Sequence, residues 1–405
     1  MVRMALITSL VRRCVRGTAL IILGANLYLF DFSSLQAQVT CTPPPSGNNV
    51  CTFIPPATVA EFNGLEQKIR TDYLNEVTKS MADSAVLSNL NASMMGPGTV
   101  NRFQVGGGVT LAGVKRNDIN IQYQDINIPT LPNAGASLNM GAMAAVNLGW
   151  LLGKGPADQP DAPSDSGQGR SFLHRINIYG HGFQGKIGQG DLRSVASSVS
   201  NDLTVNGSIN SFGATVRFQL LRERYTRLDF FGFTGLSLGI GFHRTSEDMN
   251  LNYHPGASNA VKVAFGPATG KWDGDVNFGY QSRVQSVPID VRTGVRLFYF
   301  LTVFGGAGIS SNSGNTRLNL NISGPVYLAL DPNASGLPPQ VIQQMNGNAS
   351  GTLGLRTSGS ANVKSQTNYL IAGFEINILM LKVLAEGIVT DDKVYSANIG
   401  LKFAL

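Results

Sequence analysis

Charged side chains stand at alternate positions within otherwise apolar stretches along the C-terminal part of the chain. Such alternation assigns the apolar and the charged residues to opposite faces of β-strands, because successive side chains of a strand point to opposite sides. Opposed charges on the inner face of a closed sheet can brace the strands as salt bridges, or they can line an aqueous path that selects ions. The charged residues predicted to share that inner, lumen-lining face are Arg217, Arg283, Arg292, Arg296, Glu375, Lys382, Glu386 and Lys402.

The inward position of Arg283 depends on a change of parity along one stretch. Apolar residues occupy even positions from 276 to 280 and odd positions from 289 to 297. This pattern predicts a β-bulge between Ser286 and Pro288 that exchanges the two faces. With that bulge, Arg283, Arg292 and Arg296 together would make a weakly anion-favouring lumen.

The histidines are the other candidates for chemistry. His174 and His181 are an odd number of residues apart, so on a regular strand they face opposite sides, and neither has a Glu or Cys at metal-ligand spacing. The other two histidines are His243 and His254, and His254 lies in a predicted loop beside Pro255. The residue sets of known hydrolases are absent at recognisable spacing. The sequence therefore predicts no catalytic residue, metal site or cofactor, with a membrane hydrolase as the minor alternative.

Composition fits a sheet that spans a membrane, and it fits a secreted all-β protein about equally well. Charged residues make up 14% of the chain, hydrophobic residues 43%, and 47 of 405 residues are glycine. Beyond the N-terminus no apolar run approaches the roughly 20 residues of a transmembrane helix. A barrel gives average hydropathy with short alternating runs, since every second residue meets lipid. The net charge of +6 includes Arg3, Arg12, Arg13 and Arg16, so the rest is nearly neutral and no nucleic-acid partner is expected.

The N-terminal part divides into three segments. Residues 1–37 have the basic, apolar and polar regions of a secretory signal peptide, with a retained membrane anchor as the alternative. Cys41 and Cys51 flank a proline-rich spacer in residues 38–57, which we interpret as a periplasmic segment. In an exported protein two such cysteines predict a disulfide, and a lipid-modified Cys41 is the alternative.

Residues 58–98 have helical periodicity. Apolar residues recur three and four positions apart, and the segment ends at Gly96-Pro97-Gly98. Such a helix can lie against the rim of a barrel or fill it as a plug, and the sequence leaves both open. The stripe consists of Phe62, Leu65, Ile69, Tyr73, Val77 and Met81.

The last strand carries the resemblance to a known class. Tyr395, Ile399 and Phe403 share one face up to the final residue, and Asn398-x-Gly400-Leu401-x-Phe403-x-Leu405 resembles the C-terminal signal of bacterial outer-membrane β-barrels. The match departs at Leu405, where that class usually has Phe. The resemblance implies a periplasmic C-terminus, an outer-membrane location after removal of the signal peptide, and membrane lipid and the barrel-assembly machinery as partners. The helical segment gives a weaker similarity to the long-chain fatty-acid transporters, whose N-terminal hatch precedes the barrel.

These observations predict an all-β fold in which residues 99–405 form a transmembrane antiparallel up-and-down barrel of an even strand number, roughly ten to fourteen. Register between Ile119 and Ile187 stays undefined. The leading functional hypothesis is a porin-like passive channel or transporter for small or hydrophobic solutes. The alternative is a surface-exposed adhesin or ligand-binding barrel that contacts extracellular macromolecules through long outer loops such as residues 324–351. A wide polar lumen favours the first, and a blocked lumen favours the second.

Overall fold

The computed structural model is an antiparallel barrel wrapped around an N-terminal helical segment. The predicted signal peptide lies outside the described residues, and so do residues 154–171, 189–202 and 331–348. The structure describes residues 38–45, 48–49, 51, 56–123, 126–153, 172–188, 203–225, 230–254, 261–265, 268–330 and 349–404.

The described elements are mostly strands. The strands are β1 (Gln38–Thr42), β2 (Asn48–Asn49), β3 (Phe103–Lys115), β4 (Ile119–Tyr123), β5 (Ile126–Leu131), β6 (Ala134–Asn147), β7 (Ile176–Ile187), β8 (Leu203–Leu221), β9 (Arg224–Tyr225), β10 (Phe231–Tyr253), β11 (Val261–Phe265), β12 (Ala268–Trp272), β13 (Asp275–Leu297), β14 (Leu301–Leu330), β15 (Ala349–Asn362), β16 (Gln366–Ile378), β17 (Leu381–Thr390) and β18 (Tyr395–Ala404). The helices are α1 (Pro56–Lys68), a π-helical turn (Ile69–Leu74), α2 (Asn75–Asn91), α3 (Leu148–Leu151) and a 3-10 turn (Phe172–Arg175).

Ten strands close into a ring in which every neighbouring pair is antiparallel, in the order β3, β18, β17, β16, β14, β13, β10, β8, β7, β6 and back to β3. The ring closes between its first and last strands, where Ala404 lies opposite Gln104 and Tyr395 opposite Gly113. The predicted all-β barrel with an even strand number is therefore confirmed, at the lower limit of the predicted range.

An apolar belt surrounds the ring. On β18 the outward side chains Tyr395, Ile399, Leu401 and Phe403 are 43 to 67% exposed. Apolar residues exposed in continuous rows on every second position are typical of a surface that faces lipid rather than water. Among the described residues no helix is long and apolar enough to cross a membrane.

One side of the barrel is much taller than the other. β17 and β18 have 10 residues each, whereas β10 and β13 have 23 and β14 has 30. A tilted strand needs about 9 to 11 residues to cross a membrane. We call the end that holds Ala404 the inner end and the opposite end the outer end, and the long strands project beyond the belt at the outer end. Residues 203–211, 243–253, 275–286, 311–330 and 349–362 form this projection, which we call the outer sheet.

β13 shows how the two levels join. Its pairing with β14 runs without interruption from Asp275 to Leu297, so the predicted β-bulge between Ser286 and Pro288 is wrong. Outward residues change from apolar to polar there because the surroundings of the strand change from lipid to water. Arg283 consequently lies on the outward face, and its predicted place in the lumen is wrong.

The N-terminal segment starts at the outer end. β1 pairs with β15, with Gln38 opposite Arg356, and a disulfide joins Cys41 and Cys51. The sequence predicts both a periplasmic C-terminus and a periplasmic segment at residues 38–57, and the structure places β1 and Ala404 at opposite ends of the barrel, so the two predictions cannot both hold. A helix that runs through a barrel has its two ends on opposite sides, which the sequence pattern alone does not reveal.

Helix α2 fills the lumen. From Ala82 to Met95 every residue is buried, including Leu87 and Asn89 at 0% exposure. Most of its side chains are small or uncharged, since a ten-stranded ring leaves room for little more than one slender helix. Of the two predicted positions for this segment, the structure has the plug. Residues of the predicted apolar stripe, such as Ile69 and Tyr73, lie half-buried nearer the outer end.

Residues 119–187, where the strand register could not be predicted from the sequence, contain a hairpin outside the ring. β4 and β5 pair with each other as a separate two-stranded sheet between β3 and β6. The Tyr73 hydroxyl donates to the Pro132 carbonyl oxygen at 3.2 Å, which places this hairpin beside the outer part of the helical segment. A hairpin that leaves the barrel wall carries no lipid-facing pattern, so parity could not be followed across it.

Candidate functional site

Seven of the eight charged residues predicted for the lumen point into it, and their carboxylates and cations are paired. Arg217 and Arg292 are 0 and 1% exposed and lie on either side of Asp290. Arg217 Nη1 donates to Asp290 Oδ1 at 2.5 Å, and Arg292 Nε lies 3.5 Å from Asp290 Oδ2. Both arginines are therefore neutralised by a carboxylate at the core of the barrel, where unpaired charge would be very costly.

The ionic network includes the plug. Arg292 Nη1 donates to both oxygens of Glu386, at 3.0 and 2.9 Å, and to the Gly96 carbonyl oxygen at 3.0 Å. The Gly96 amide donates to Glu386 Oε2 at 3.2 Å. Charge-assisted hydrogen bonds are roughly twice as strong as neutral ones, so this contact fixes the plug chain to two strands.

A second centre lies around Glu375. Lys402 Nζ is 2.5 Å from Glu375 Oε2, and Lys382 Nζ is 3.1 Å from Oε1. Across both centres four cations face three carboxylates, a surplus of one charge: Arg217, Arg292, Lys382 and Lys402 against Asp290, Glu375 and Glu386. Such near-complete compensation favours a brace between strands over an ion-selective path. Arg296 lies on the same face of β13, nearer the inner end.

Glycines make room for the plug. A Cβ atom at Gly108 or Gly400 would lie 2.5 or 2.9 Å from Met94 Sδ, so both strands need glycine where Met94 packs. Gly400 belongs to the C-terminal sequence signal, and here it receives the plug. Gly96 and Gly98 have φ values of +65° and +83°, a region that glycine adopts without the steric cost of a Cβ.

Two asparagines of α2 bind opposite walls of the barrel. Asn89 Nδ2 donates to Ser286 Oγ at 3.2 Å, and Thr245 Oγ1 donates to Asn89 Oδ1 at 2.8 Å. Asn91 Nδ2 donates to Ser396 Oγ at 2.6 Å, while Asn398 Nδ2 donates to the Asn91 carbonyl oxygen at 3.2 Å. These contacts fix both the height and the rotation of the helix in the lumen.

The structure brings together two histidines that the sequence left apart. His181 on β7 and His243 on β10 stack with ring centroids 4.9 Å apart, across Gly213 of the intervening β8. The odd spacing of His174 and His181 says nothing about residues on other strands, so this pair had no sequence signal. Within the described part of the chain no group of three or more His, Cys, Asp or Glu residues could hold a metal ion.

At the outer mouth the plug is held by a further ion pair. Arg116, just beyond β3, contacts Asp83 of α2. Burial raises the pKa of the Asp83 carboxyl, and the neighbouring Arg116 guanidinium opposes that rise. A cavity of about 10 Å³ beside Asp83 has room for about one water molecule. The described residues thus fill the lumen from the outer mouth to the Glu375 centre.

Comparisons with known proteins identify a family. A family model described as Lsa36-like matches residues 34–405. No curated protein matches the chain.

Solved structures with a similar fold include outer-membrane proteins. The translocator domain of autotransporter NalP from Neisseria meningitidis is 9% identical, with 76% of this chain and 89% of that one covered and a TM-score of 0.29. Outer membrane protease OmpT from Escherichia coli is 12% identical, with 75% and 96% covered and a TM-score of 0.31. A Pseudomonas aeruginosa FadL homologue is 8% identical, with 81% and 97% covered and a TM-score of 0.24.

Proposed function

The chain belongs to the Lsa36-like family, and we propose that it is an outer-membrane protein whose plugged barrel anchors a sheet that binds macromolecules outside the cell. The observation that carries this proposal is the filled lumen. Arg217, Arg292 and Lys402 are at most 1% exposed, and the plug covers them. A passive channel needs solvated charges in its lumen. The filled lumen therefore favours the surface-binding hypothesis over the channel hypothesis.

The energetics of the ionic network support a permanent plug. For a solute to pass, Gly96 would have to leave Arg292 and Glu386, and the asparagine contacts at Ser286 and Ser396 would have to break. Each hydrogen bond to a charged group contributes about 1.5 to 3 kcal/mol. Several such bonds lost together would make spontaneous opening rare.

The outer sheet supports a binding role. Beyond Phe242, β10 continues for 11 residues, 243–253, which span about 36 Å at about 3.3 Å per residue. The N-terminal helical segment contacts the inner face of the outer sheet at β15. The Ser360 amide donates to Asn75 Oδ1 at 3.1 Å, and the Thr357 hydroxyl donates to Glu66. The opposite face presents polar residues to solvent. A rigid, solvated sheet above a membrane suits recognition of large partners rather than conduction.

The binding surface includes the connections that the outer sheet carries, and the experiment deletes one of them, residues 331–348, so that β14 and β15 are joined directly. Cells that display the intact chain are expected to adhere to at least one member of a panel of immobilised polysaccharides and extracellular-matrix proteins. The deletion variant should lose that adhesion while its barrel keeps the folded mobility on an unheated gel. Adhesion that survives the deletion and also survives removal of the β4–β5 hairpin would contradict the proposal.

A further inference from the structure

The N-terminal segment crosses the barrel once, from the outer end to the inner end. At the outer end Ser80 Oγ donates to Asn133 Oδ1 at 2.7 Å, just before β6 begins. In the middle Asn91 contacts Ser396. At the inner end the Asn147 amide donates to the Arg102 carbonyl oxygen at 2.9 Å, and β3 starts at the next residue.

This path places the residues before α2 on the opposite side of the membrane from the C-terminus. β1 adds to the edge of β15, where Val39 lies opposite Leu355 and Thr42 opposite Thr352. β15 itself pairs with the part of β14 that projects beyond the belt. A chain that is exported to the inner side must therefore move residues 38–80 through the barrel before the structure is complete.

The crossing cannot go through lipid. The part of the segment in α2 carries Glu76, Lys79 and Asp83, and each charge costs about 2.5 to 3.5 kcal/mol at the centre of a bilayer. A side entry into the finished barrel is also closed, because β3 and β18 are paired from Gln104 to Gly113. The polar lumen is the remaining route.

We propose that the barrel formed by residues 99–405 translocates its own N-terminal segment to the outer side, and that it carries along any unfolded polypeptide attached ahead of α1. The proposal rests on the outer-membrane orientation in the proposed function. The transported substrate is an extended chain: the lumen is filled by one helix of small residues, and Gly98 and Gly108 have no room for a Cβ beside Arg217 and Met94. A folded domain is much wider than this space.

A labelling experiment on intact cells tests the crossing. We expect a membrane-impermeant maleimide to label Thr71→Cys and Gln281→Cys, which are exposed at the outer end, but not Leu379→Cys, which is 98% exposed in the inner turn. Leu379→Cys should react after the outer membrane is permeabilised. Labelling at 281 without labelling at 71 would overturn the translocation while leaving the outer sheet in place. Labelling at 379 on intact cells would refute the orientation and with it both proposals.

An insertion tests the transport of additional chain. A flexible Gly/Ser-rich segment that carries an antibody epitope is placed between Pro44 and Pro45, outside β1. We expect the full antibody signal on intact cells, unchanged by permeabilisation, and loss of that surface signal when the insert is a stably folded domain. A control with the epitope after Leu379 should bind antibody only after permeabilisation. Equal display of the folded and the unfolded insert would overturn passage through the lumen.

Discussion

The two halves of β13 show opposite hydrophobic parity on one continuous strand. Toward the inner end Ile289 and Val291 face outward and Arg292 faces inward. Toward the outer end Arg283 faces outward, whereas Val284 faces inward and is 1% exposed. The backbone pairing is the same in both halves, so the change of parity records the boundary between lipid and water.

The neighbouring strand, β14, shows the same exchange of its apolar and polar faces along its length. In β14 Val303 and Ile309 face outward at 46 and 40% exposure, and Thr302 faces inward. Beyond Ser311 the inward face carries an apolar residue, Leu318, at 2% exposure. Within the lipid belt the inward face of each strand is polar and the outward face is apolar. In the outer sheet the inward face, which the plug covers, is apolar and the outward face is polar. The plug is what makes the second arrangement stable, because it supplies the surface on which those apolar residues are buried.

The largest expected effect comes from the inward charges of the belt. Glu386→Ala removes the carboxylate that accepts two hydrogen bonds from Arg292. It leaves Arg217 and Arg292 to share Asp290. Loss of one member of a buried ion pair typically costs about 3 to 5 kcal/mol. We expect a decrease of that size in the free energy of unfolding, measured by denaturant titration in lipid vesicles. Asp391→Ala, in an exposed turn ion pair with Lys364, is the matched control and should cost less than about 1 kcal/mol. Equal losses in the two variants would show that the lumen network is not structural.

The second effect concerns the outward faces. Val291→Arg puts a charge on the lipid side of the belt and should lower the free energy of unfolding by about 2 to 4 kcal/mol. Gln281→Arg makes the same change of charge on the outward face of the outer sheet, where the expected difference is within about 0.5 kcal/mol. Similar losses at 281 and 291 would place the membrane boundary elsewhere and refute the inversion.

Sequence periodicity predicted what depends on the lipid belt. The pattern of β18 and the inward positions of Arg292, Glu386 and Lys402 follow from alternation against a uniform apolar medium. Arg283 could not be placed, because alternation identifies the two faces of a strand but not which medium each face meets. The position of α2 inside the lumen could not be predicted from the sequence either. A helix surrounded by polar walls has no distinct apolar face that would indicate what it packs against.

A smaller effect tests the covered face of the outer sheet. The Tyr280 hydroxyl donates to Glu247 Oε2 at 2.9 Å, next to the hydrogen bond from Ser137 to the same carboxylate. Tyr280→Phe removes one hydrogen bond and should lower the free energy of unfolding by about 0.5 to 1.5 kcal/mol. The control Tyr253→Phe, at the exposed end of β10, should have no measurable effect. If Tyr280→Phe left the free energy of unfolding unchanged, Glu247 would be solvated and this face of the outer sheet would not be covered.

The presence of the plug in the lumen is tested most directly by conductance across planar bilayers. The full chain, reconstituted as a folded barrel, is expected to give no steady current, because α2 and the ionic network fill the lumen. A variant that lacks residues 58–98 should conduct, since it retains the ten-stranded ring and loses both the helix and the following residues that contact Arg292 and Glu386. A steady current through the full chain, or a closed barrel after the deletion, would contradict the account.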